Sequence, residues 1–251
     1  MLTNNEIKLL RKLKQKKFRD EYQLFIVEGK KSVSEVVNNH FPVQNVYATH
    51  KYLAEIENIF PQVELITKTQ SEQISAMSTD PEIFALVQMP AKKTFQADSY
   101  DKILVLDAVR DAGNLGTIIR TADWFDIHCI VCSSDCVDLY NPKTIQSSMG
   151  SFTRVDVFYC PLTDFILQNK QNYRFYGTFM EGDAIGEIKF AEKTAIVLGS
   201  ESHGISPEVA ALLDEKISIP MVGKSDRSEK PESLNVSISA AVCCYELSRM
   251  K

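Results

Sequence analysis

The sequence predicts two α/β domains, because short apolar runs alternate with helical segments along all 251 residues. Residues 102–109, KILVLDAV, form a near-continuous apolar run, which is typical of a parallel strand covered on both faces. The polar, aperiodic segment at residues 90–101 separates two such alternations. We therefore expect a small domain at residues 1–95 and a larger domain with a mostly parallel sheet at residues 96–251.

The first half of the chain opens with a basic segment that we expect to be helical. Strands and helices then follow each other in order. The expected helices are residues 4–17, 30–39, 50–59 and a short helix that starts near Thr69 or Ser71, which are residues of the capping type. The expected strands are residues 24–29, 45–49, 63–67 and 82–89. This alternation favours a parallel sheet with helices on both faces.

The second half repeats the same alternation after the linker. The expected strands are residues 102–109, 127–134, 153–159, 174–180, 194–200 and 216–221. The expected helices are residues 114–125, 142–149, 162–169, 206–213 and 233–249. Ligands of open parallel sheets bind at the carboxyl ends of the strands, so the loops after these strands are the first places to search for a site.

The charge is unevenly distributed. The formal net charge is −5, which excludes a uniformly basic protein that coats nucleic acid by counterion release. Residues 1–31 nevertheless carry nine Lys and Arg against four Asp and Glu, a net +5, so the remainder carries −10. A basic end of this kind fits either a contact with phosphate or a solvated helix face.

Targeting and metal signals are weak. No apolar run approaches the roughly 18–20 residues of a transmembrane helix, and the first twenty residues are too charged for a secretory signal. We therefore expect a cytoplasmic protein with its six cysteines reduced. Cys129 and Cys132 lie in a strand-like run that points them to opposite faces, so we expect no metal site.

Three loops at strand ends carry polar residues. The first, residues 107–125, contains Asn114 and Arg120, and it lacks the G-x-G-x-x-G spacing of a dinucleotide site. The second, residues 197–208, holds Glu201 between two glycines, which permit close approach of a ligand to the backbone. The third, residues 218–246, opens a helix after a long polar stretch. Each loop alone is also compatible with an ordinary capped turn.

Together and in order, the segments NLGTIIRTA, LGSESHG, IPM and SLNVS resemble the motifs of the SpoU family of SPOUT RNA methyltransferases. The similarity extends over most of residues 102–250. Upstream, LFIVEGKKSVSEVV and the preceding KLLRKLKQKKFRD resemble the start of that family's ribosomal-protein-like substrate-binding domain. The resemblance implies a homodimer formed through a carboxy-terminal domain with a deep trefoil knot. It also implies methyl transfer from S-adenosylmethionine to a ribose 2′-hydroxyl, in rRNA rather than tRNA.

The same resemblance assigns roles to individual residues. Arg120 matches the catalytic position, with Asn114 and Glu201 beside it. Because arginine stays protonated in proteins, we expect Arg120 to position groups rather than to act as a base. The matching positions for S-adenosylmethionine are Gly199, Ile219, Leu234, Thr178, Leu198 and Met221. The matching or basic positions for RNA are Ser233, Asn235, Lys12, Lys16 and Arg19.

Three departures from the family pattern and three alternatives remain. Asp111-Ala112 stands where Asp-Pro is usual. Ser202 replaces the common glycine after Glu201, and the loop at residues 224–232 is longer than usual. Its Lys224, Arg227 and Lys230 suggest a lid or an RNA contact. The alternatives are a tRNA ribose methyltransferase, a non-catalytic RNA-binding protein that retains the fold, and a different α/β nucleotide enzyme.

Overall fold

A computed structural model describes residues 2–58, 60, 62–77, 80–222 and 233–249. The chain divides into two compact units. Unit 1 consists of residues 1–92 together with 138–154, and unit 2 consists of residues 93–137 together with 155–251. The domain boundary at residues 95/96 stays a prediction drawn from the linker composition. The assignment of residues 138–154 to the amino-terminal unit was not expected from the sequence.

Unit 1 begins with two short helices, α1 (Asn4–Lys12) and α2 (Lys16–Tyr22), where one was expected. Thr3 caps α1 through a reciprocal capping box with Glu6. Gln15 adopts an extended conformation, with φ −98° and ψ 133°, and this separates α2 from α1. The basic segment therefore forms two consecutive short helices and not the single helix that was expected.

The sheet of unit 1 is mixed. Its strands are β1 (Leu24–Glu28), β2 (Val43–Ala48), β3 (Val63–Leu65) and β4 (Ile83–Gln88), in the order β1-β4-β2-β3. Its other helices are α3 (Lys30–Asn38), α4 (His50–Ile56) and α5 (Lys68–Ile74). β2 and β3 are parallel, but β4 runs antiparallel to β1 and to β2. The expectation of a parallel sheet was wrong here, because the alternation of strands and helices does not by itself fix the direction of each strand in the sheet.

Alternate residues of β1 face two different apolar layers, as the pleat of a strand requires. Ile26 packs with α1 and α5 residues in one cluster that includes Leu10 and Ile74. On the other side, the Phe25 ring lies 4.5 Å from that of Tyr140 and 6.2 Å from that of Phe152. The segment 138–154, which contains the next helix α7 (Pro142–Ser148), thus covers the second face of this strand.

Arg19 is part of the interior of unit 1 and not of its surface. Its side chain is 1% exposed and forms an ion pair with Asp138. The guanidinium also donates to the carbonyl oxygens of Leu13 and Lys14, each at 2.9 Å. These carbonyls lie at the end of α1, where helix geometry leaves acceptors without partners. The expectation that Arg19 contacts RNA is therefore corrected, because its donors are used internally.

Unit 2 is built on a parallel sheet, as predicted. The strands are β5 (Lys102–Leu106), β6 (Cys129–Cys132), β7 (Asp156–Tyr159), β8 (Arg174–Ala184), β9 (Thr194–Leu198) and β10 (Glu215–Ser218). The order is β10-β8-β9-β5-β6-β7, and each of these neighbouring pairs is parallel. β5 and β9 are central and almost wholly buried, which explains their uninterrupted apolar sequences.

Helices of unit 2 cover this sheet. They are α6 (Ala112–Trp124), α8 (Leu162–Asn169), α9 (Pro207–Ala210) and α10 (Val236–Ser248). α10 packs against α6, and the Phe125 and Tyr245 rings lie 6.3 Å apart at that contact. α10 starts later than expected, because Asn235 rather than Ser233 is its N-cap. Within the described residues, no helix combines the length and apolarity needed to cross a bilayer.

Replacement of Arg19 by Ala should destabilise unit 1 by about 3–5 kcal/mol, because it leaves a carboxylate and two helix-end carbonyls without their donor. Urea unfolding followed by far-UV circular dichroism measures this change. Lys16→Ala, on an exposed position of the same helix, should shift stability by no more than about 0.5 kcal/mol. Equal stability of both variants would contradict the structural role of Arg19.

Candidate active site

The middle of β8, the carboxyl ends of β9 and β10 and the start of α10 border a cleft of about 1040 Å³ within unit 2. Six of its lining residues are the positions expected for the cofactor: Thr178, Leu198, Gly199, Ile219, Met221 and Leu234. Glu201 and Ser233 also line it. The location follows the general rule that open parallel sheets bind ligands beyond the carboxyl ends of their strands.

A tight turn at residues 199–204 forms one wall of the cleft. Ser200 and Gly204 exchange backbone hydrogen bonds of 3.1 and 2.9 Å. Gly204 has φ +66°, a conformation that favours glycine. A Cβ atom on Gly199 would overlap the carbonyl group of Gly204. Both glycines are therefore required by the turn itself, which presents the intervening Glu201.

The far end of this turn is anchored by a buried carboxylate. Asp107, at the carboxyl end of β5, accepts hydrogen bonds from the backbone N–H and the hydroxyl of Ser206, both at 2.7 Å. Two donors compensate the cost of burying a charged group. The neighbouring strands β5 and β9 are thus connected at the edge of the sheet where the cleft opens.

Side chains from the three sequence motifs meet in one hydrogen-bonded bridge. The amide of Asn114 donates to the Glu201 carboxylate, and the amide of Asn235 donates to the Asn114 oxygen at 3.1 Å. The Asn235 oxygen in turn accepts from the Ser237 backbone N–H at 2.9 Å. Asn114 itself is fixed by its backbone N–H, which donates to Asp111 at 2.8 Å. Residues that are distant in sequence are therefore held in fixed mutual orientation.

Arg120 does not join this bridge. It is exposed on α6, on the same face as Thr117 and Trp124, and it is absent from the lining of the cleft. Among the described residues it has neither a hydrogen-bond nor an ion-pair partner. Its guanidinium can therefore reach an external phosphate without losing an internal contact.

The remaining expected RNA contacts lie in two places. Lys12 and Lys16 are exposed in unit 1, and the Lys12 ammonium lies 5.2 Å from the centre of the Phe18 ring. Ser233 and Asn235 lie at the start of α10 in unit 2. The loop at residues 224–232, with Lys224, Arg227 and Lys230, lies outside the described residues.

Several lining residues were not singled out from the sequence. They are neighbours of the motif residues, namely Ser200, His203, Pro220 and Ser239. Ser239 follows Asn235 by four residues, so helical spacing could have indicated it. The His203 ring nitrogen Nδ1 lies 2.7 Å from the Ser202 hydroxyl, which stands where the family commonly has glycine.

Five of the six cysteines are buried, and Cys160 is half-buried. All six are free thiols, and burial raises the pKa of Cys244 to about 12. Burial also raises the pKa of Cys243 and of Cys129. No cluster of three or more His, Cys, Asp or Glu with metal-binding geometry occurs in the part of the chain that the structure describes.

The comparison with known proteins identifies the family. The SpoU rRNA Methylase family matches residues 101–245, and the MRM3-like substrate binding domain matches residues 4–85. The chain belongs to the SpoU rRNA Methylase family. The resemblance inferred from the motifs is thereby confirmed.

Several proteins align with this SpoU-family chain over most of their own length. A TrmH-family protein from Porphyromonas gingivalis has 34% identity and a TM-score of 0.88, covering 100% of both chains. The 23S rRNA (guanosine(2553)-2′-O)-methyltransferase RlmP of Bacillus subtilis is 29% identical over 97% of this chain and 96% of its own. The 23S rRNA (uridine(2479)-2′-O)-methyltransferase of Streptomyces viridochromogenes is 28% identical over 90% of this chain and 83% of its own.

Gly199→Ala should disrupt the turn, because the added methyl group would meet the Gly204 backbone rather than a movable side chain. Overpacking of this kind costs about 1–3 kcal/mol, which urea unfolding can measure. Amide hydrogen exchange should also accelerate at residues 199–204. Gly186→Ala is the matched control, since nothing lies within 4 Å of its added Cβ. Normal exchange in the Gly199 variant would contradict the close approach.

Proposed function

We propose that this SpoU-family chain transfers the methyl group of S-adenosylmethionine to a ribose 2′-hydroxyl in rRNA. The observation that carries the proposal is the bridge of Glu201, Asn114 and Asn235, which joins the three family motifs and of which Glu201 lines the cleft. Two relatives aligned over most of the chain are named as 23S rRNA 2′-O-methyltransferases. Their names favour rRNA over tRNA as the substrate.

The described residues of the cleft fit an adenosine-type cofactor. Leu198, Ile219 and Leu234 offer apolar contact area, and the absence of a side chain at Gly199 leaves backbone groups accessible. Thr178 and Met221 complete the proposed binding set. The bound cofactor supplies an activated methyl group. The chain must then hold the ribose hydroxyl in line and accommodate its proton.

The polar bridge is suited to orienting the acceptor nucleotide. Glu201 and Asn114 restrain each other, so little side-chain entropy is lost when a ribose hydroxyl binds beside them. Arg120 stays protonated and is exposed, which suits electrostatic positioning of an RNA phosphate. Ser233 and Asn235 are proposed contacts of the target nucleotide, and Lys12 and Lys16 are proposed contacts of more distant phosphates.

The homodimer is part of the same proposal. The apolar side chains of Trp124 on α6 and of Ile238 and Tyr245 on α10 are 84%, 52% and 52% exposed. On α10 the two residues are seven apart and share one face. A helix that is apolar on its exposed side as well as its buried side requires a further cover. We assign a second copy of the chain to this face, in keeping with a cytoplasmic homodimeric enzyme.

The trefoil knot is likewise retained as a proposal. The close backbone approaches at Gly199 and Gly182 support it, because a threaded chain needs segments without side chains where backbones meet.

The direct test is methyl transfer from labelled S-adenosylmethionine to intact rRNA and to tRNA, followed by nuclease digestion. Label in 2′-O-methylated nucleotides of rRNA is the expected result. Label in tRNA would reassign the substrate. Cofactor binding without transfer to either RNA would favour a non-catalytic RNA-binding protein.

Arg120→Ala should lower kcat by about 10²–10³-fold, in the range found when a charge-stabilising donor is removed. Cofactor affinity, measured by calorimetry, should change by less than about twofold. Arg174→Ala is the matched control, because Arg174 begins β8 at the opposite end of the strands from the cleft. Substantial turnover by the Arg120 variant would contradict the role assigned to Arg120.

Ile238→Glu should convert the dimer to a monomer, because it introduces a charge into the centre of the proposed apolar contact. Sedimentation equilibrium measures the outcome. Leu167→Glu replaces an apolar residue of similar exposure on α8 and should leave the mass unchanged. A monomeric wild-type protein at micromolar concentration would overturn the assembly.

A further inference from the structure

Unit 1 contains a cavity of its own, with a volume of about 400 Å³. We call it the unit 1 pocket. It lies between the first strand of the mixed sheet, the end of α1, the segment after α5 and the start of α7. Its polar and charged lining includes Glu28, Lys14, Lys143 and Gln146. A volume of this size accommodates a single nucleotide and not a helical stretch of RNA.

The Glu28 carboxylate is the most unusual group in the unit 1 pocket. It ends β1, is 9% exposed, and is held by hydrogen bonds from the Ser75 hydroxyl at 2.7 Å and the Ala76 backbone N–H at 3.0 and 3.1 Å. An ionised carboxylate has about four acceptor positions. Since Ser75 and Ala76 do not use all of them, Glu28 retains acceptor capacity toward the cavity that it lines.

Charges of both signs surround this carboxylate. The Lys14 ammonium donates to the Ser75 carbonyl and attracts Glu28, whereas Asp80 repels it. Burial has the largest effect on the pKa of Glu28 and raises it above its ordinary value. Lys143 adds a second cation from an exposed position of α7. A ligand of this pocket should therefore combine hydrogen-bond donors for the carboxylate with negative charge for the lysines.

The apolar part of the lining suits a flat ring. Ile26, Met77 and Pro142 all contribute to the cavity wall, and Ile26 is itself buried in the sheet. Unstacked RNA bases are recognised by such contacts together with hydrogen bonds to their Watson–Crick edges. Guanine is the base whose edge presents two adjacent donors, N1–H and the exocyclic amine, to a carboxylate.

We propose that the unit 1 pocket holds one unstacked guanine nucleotide of the RNA substrate. Glu28 accepts hydrogen bonds from the guanine edge, and Lys14 and Lys143 attract its phosphate. This inference rests on the proposed function, in which the chain acts on RNA. It gives the amino-terminal unit a role in recognising a base of that RNA as well as its phosphate charge. Adenine and uracil present an acceptor at the corresponding edge position, so the carboxylate rejects them.

Heteronuclear NMR measurements of guanosine monophosphate binding to the whole 251-residue chain test the inference. Wild-type protein should bind guanosine monophosphate at least tenfold more tightly than adenosine or uridine monophosphate, with shifts at Ala76 and Gln146. Single-stranded UUGUU should bind more tightly than UUUUU. The same oligonucleotide placed in a duplex should lose the preference, which distinguishes an RNA base from a free nucleotide site.

Two variants probe the contacts. In Glu28→Gln, the amide oxygen stays with Ala76 and Ser75, so the amino group faces the cavity and the preference for guanine should fall at least tenfold. Because Glu28 is buried, Lys143→Glu serves as the surface variant and should weaken guanosine monophosphate binding at least tenfold. Lys31→Glu makes the same charge change at an exposed position of α3 outside the pocket and should have no effect.

Equal affinity for guanosine and uridine monophosphate, or a loss caused equally by Lys31→Glu and Lys143→Glu, would overturn the inference. Methyl transfer to rRNA by the wild-type protein is measured separately. Guanine-selective binding without transfer would leave the pocket standing while the proposed function failed. Transfer without guanine selectivity would do the reverse.

Discussion

The candidate active site depends on a close approach of two backbone segments, where Gly199 lies against Gly204 with no space for a side chain. That approach creates the exchange of hydrogen bonds between Ser200 and Gly204 and turns the chain immediately after a buried strand. Glu201 is held at the tip of the turn as a result. From there the bridge through Asn114 reaches Asn235 and the start of α10. The cleft is thus defined by backbone geometry first and by side-chain chemistry second.

Unit 1 depends on a different constraint, the burial of a cation. Arg19 binds Asp138 and the carbonyls at the end of α1, so it joins the basic helices to a segment that is distant in sequence. Its burial changes the interpretation of the basic amino-terminal end. One of its positive charges stabilises the fold, whereas Lys12 and Lys16 remain exposed and available to phosphate. Net charge by segment therefore overstates the charge that an RNA would meet.

The two cavities have different polar character, which suits a division of tasks between the units. The cleft in unit 2 is lined by apolar side chains and by Glu201, whose carboxylate accepts a hydrogen bond from the Asn114 amide. The unit 1 pocket combines a buried carboxylate with two lysines. An overall charge of −5 is compatible with both, since recognition by placed contacts does not require bulk attraction to RNA.

The sequence by itself determined the elements whose signals are local. Apolar runs located β5 and β9 because a strand buried on both faces must be apolar throughout. Glycines and polar residues at the strand ends, interpreted through the family motifs, indicated the residues that line the cleft. Tertiary structure decided what depends on partners distant in sequence. The antiparallel direction of β4, the place of residues 138–154 in unit 1 and the burial of Arg19 all arise from such pairings. The tertiary structure also decided the location of Arg120. Its position in the motif predicted a catalytic role, but it lies on a face of α6 that does not line the cleft. The sequence pattern indicates which residues can be buried and which can occupy turns. Only the folded chain determines which side chains and backbone groups come into contact.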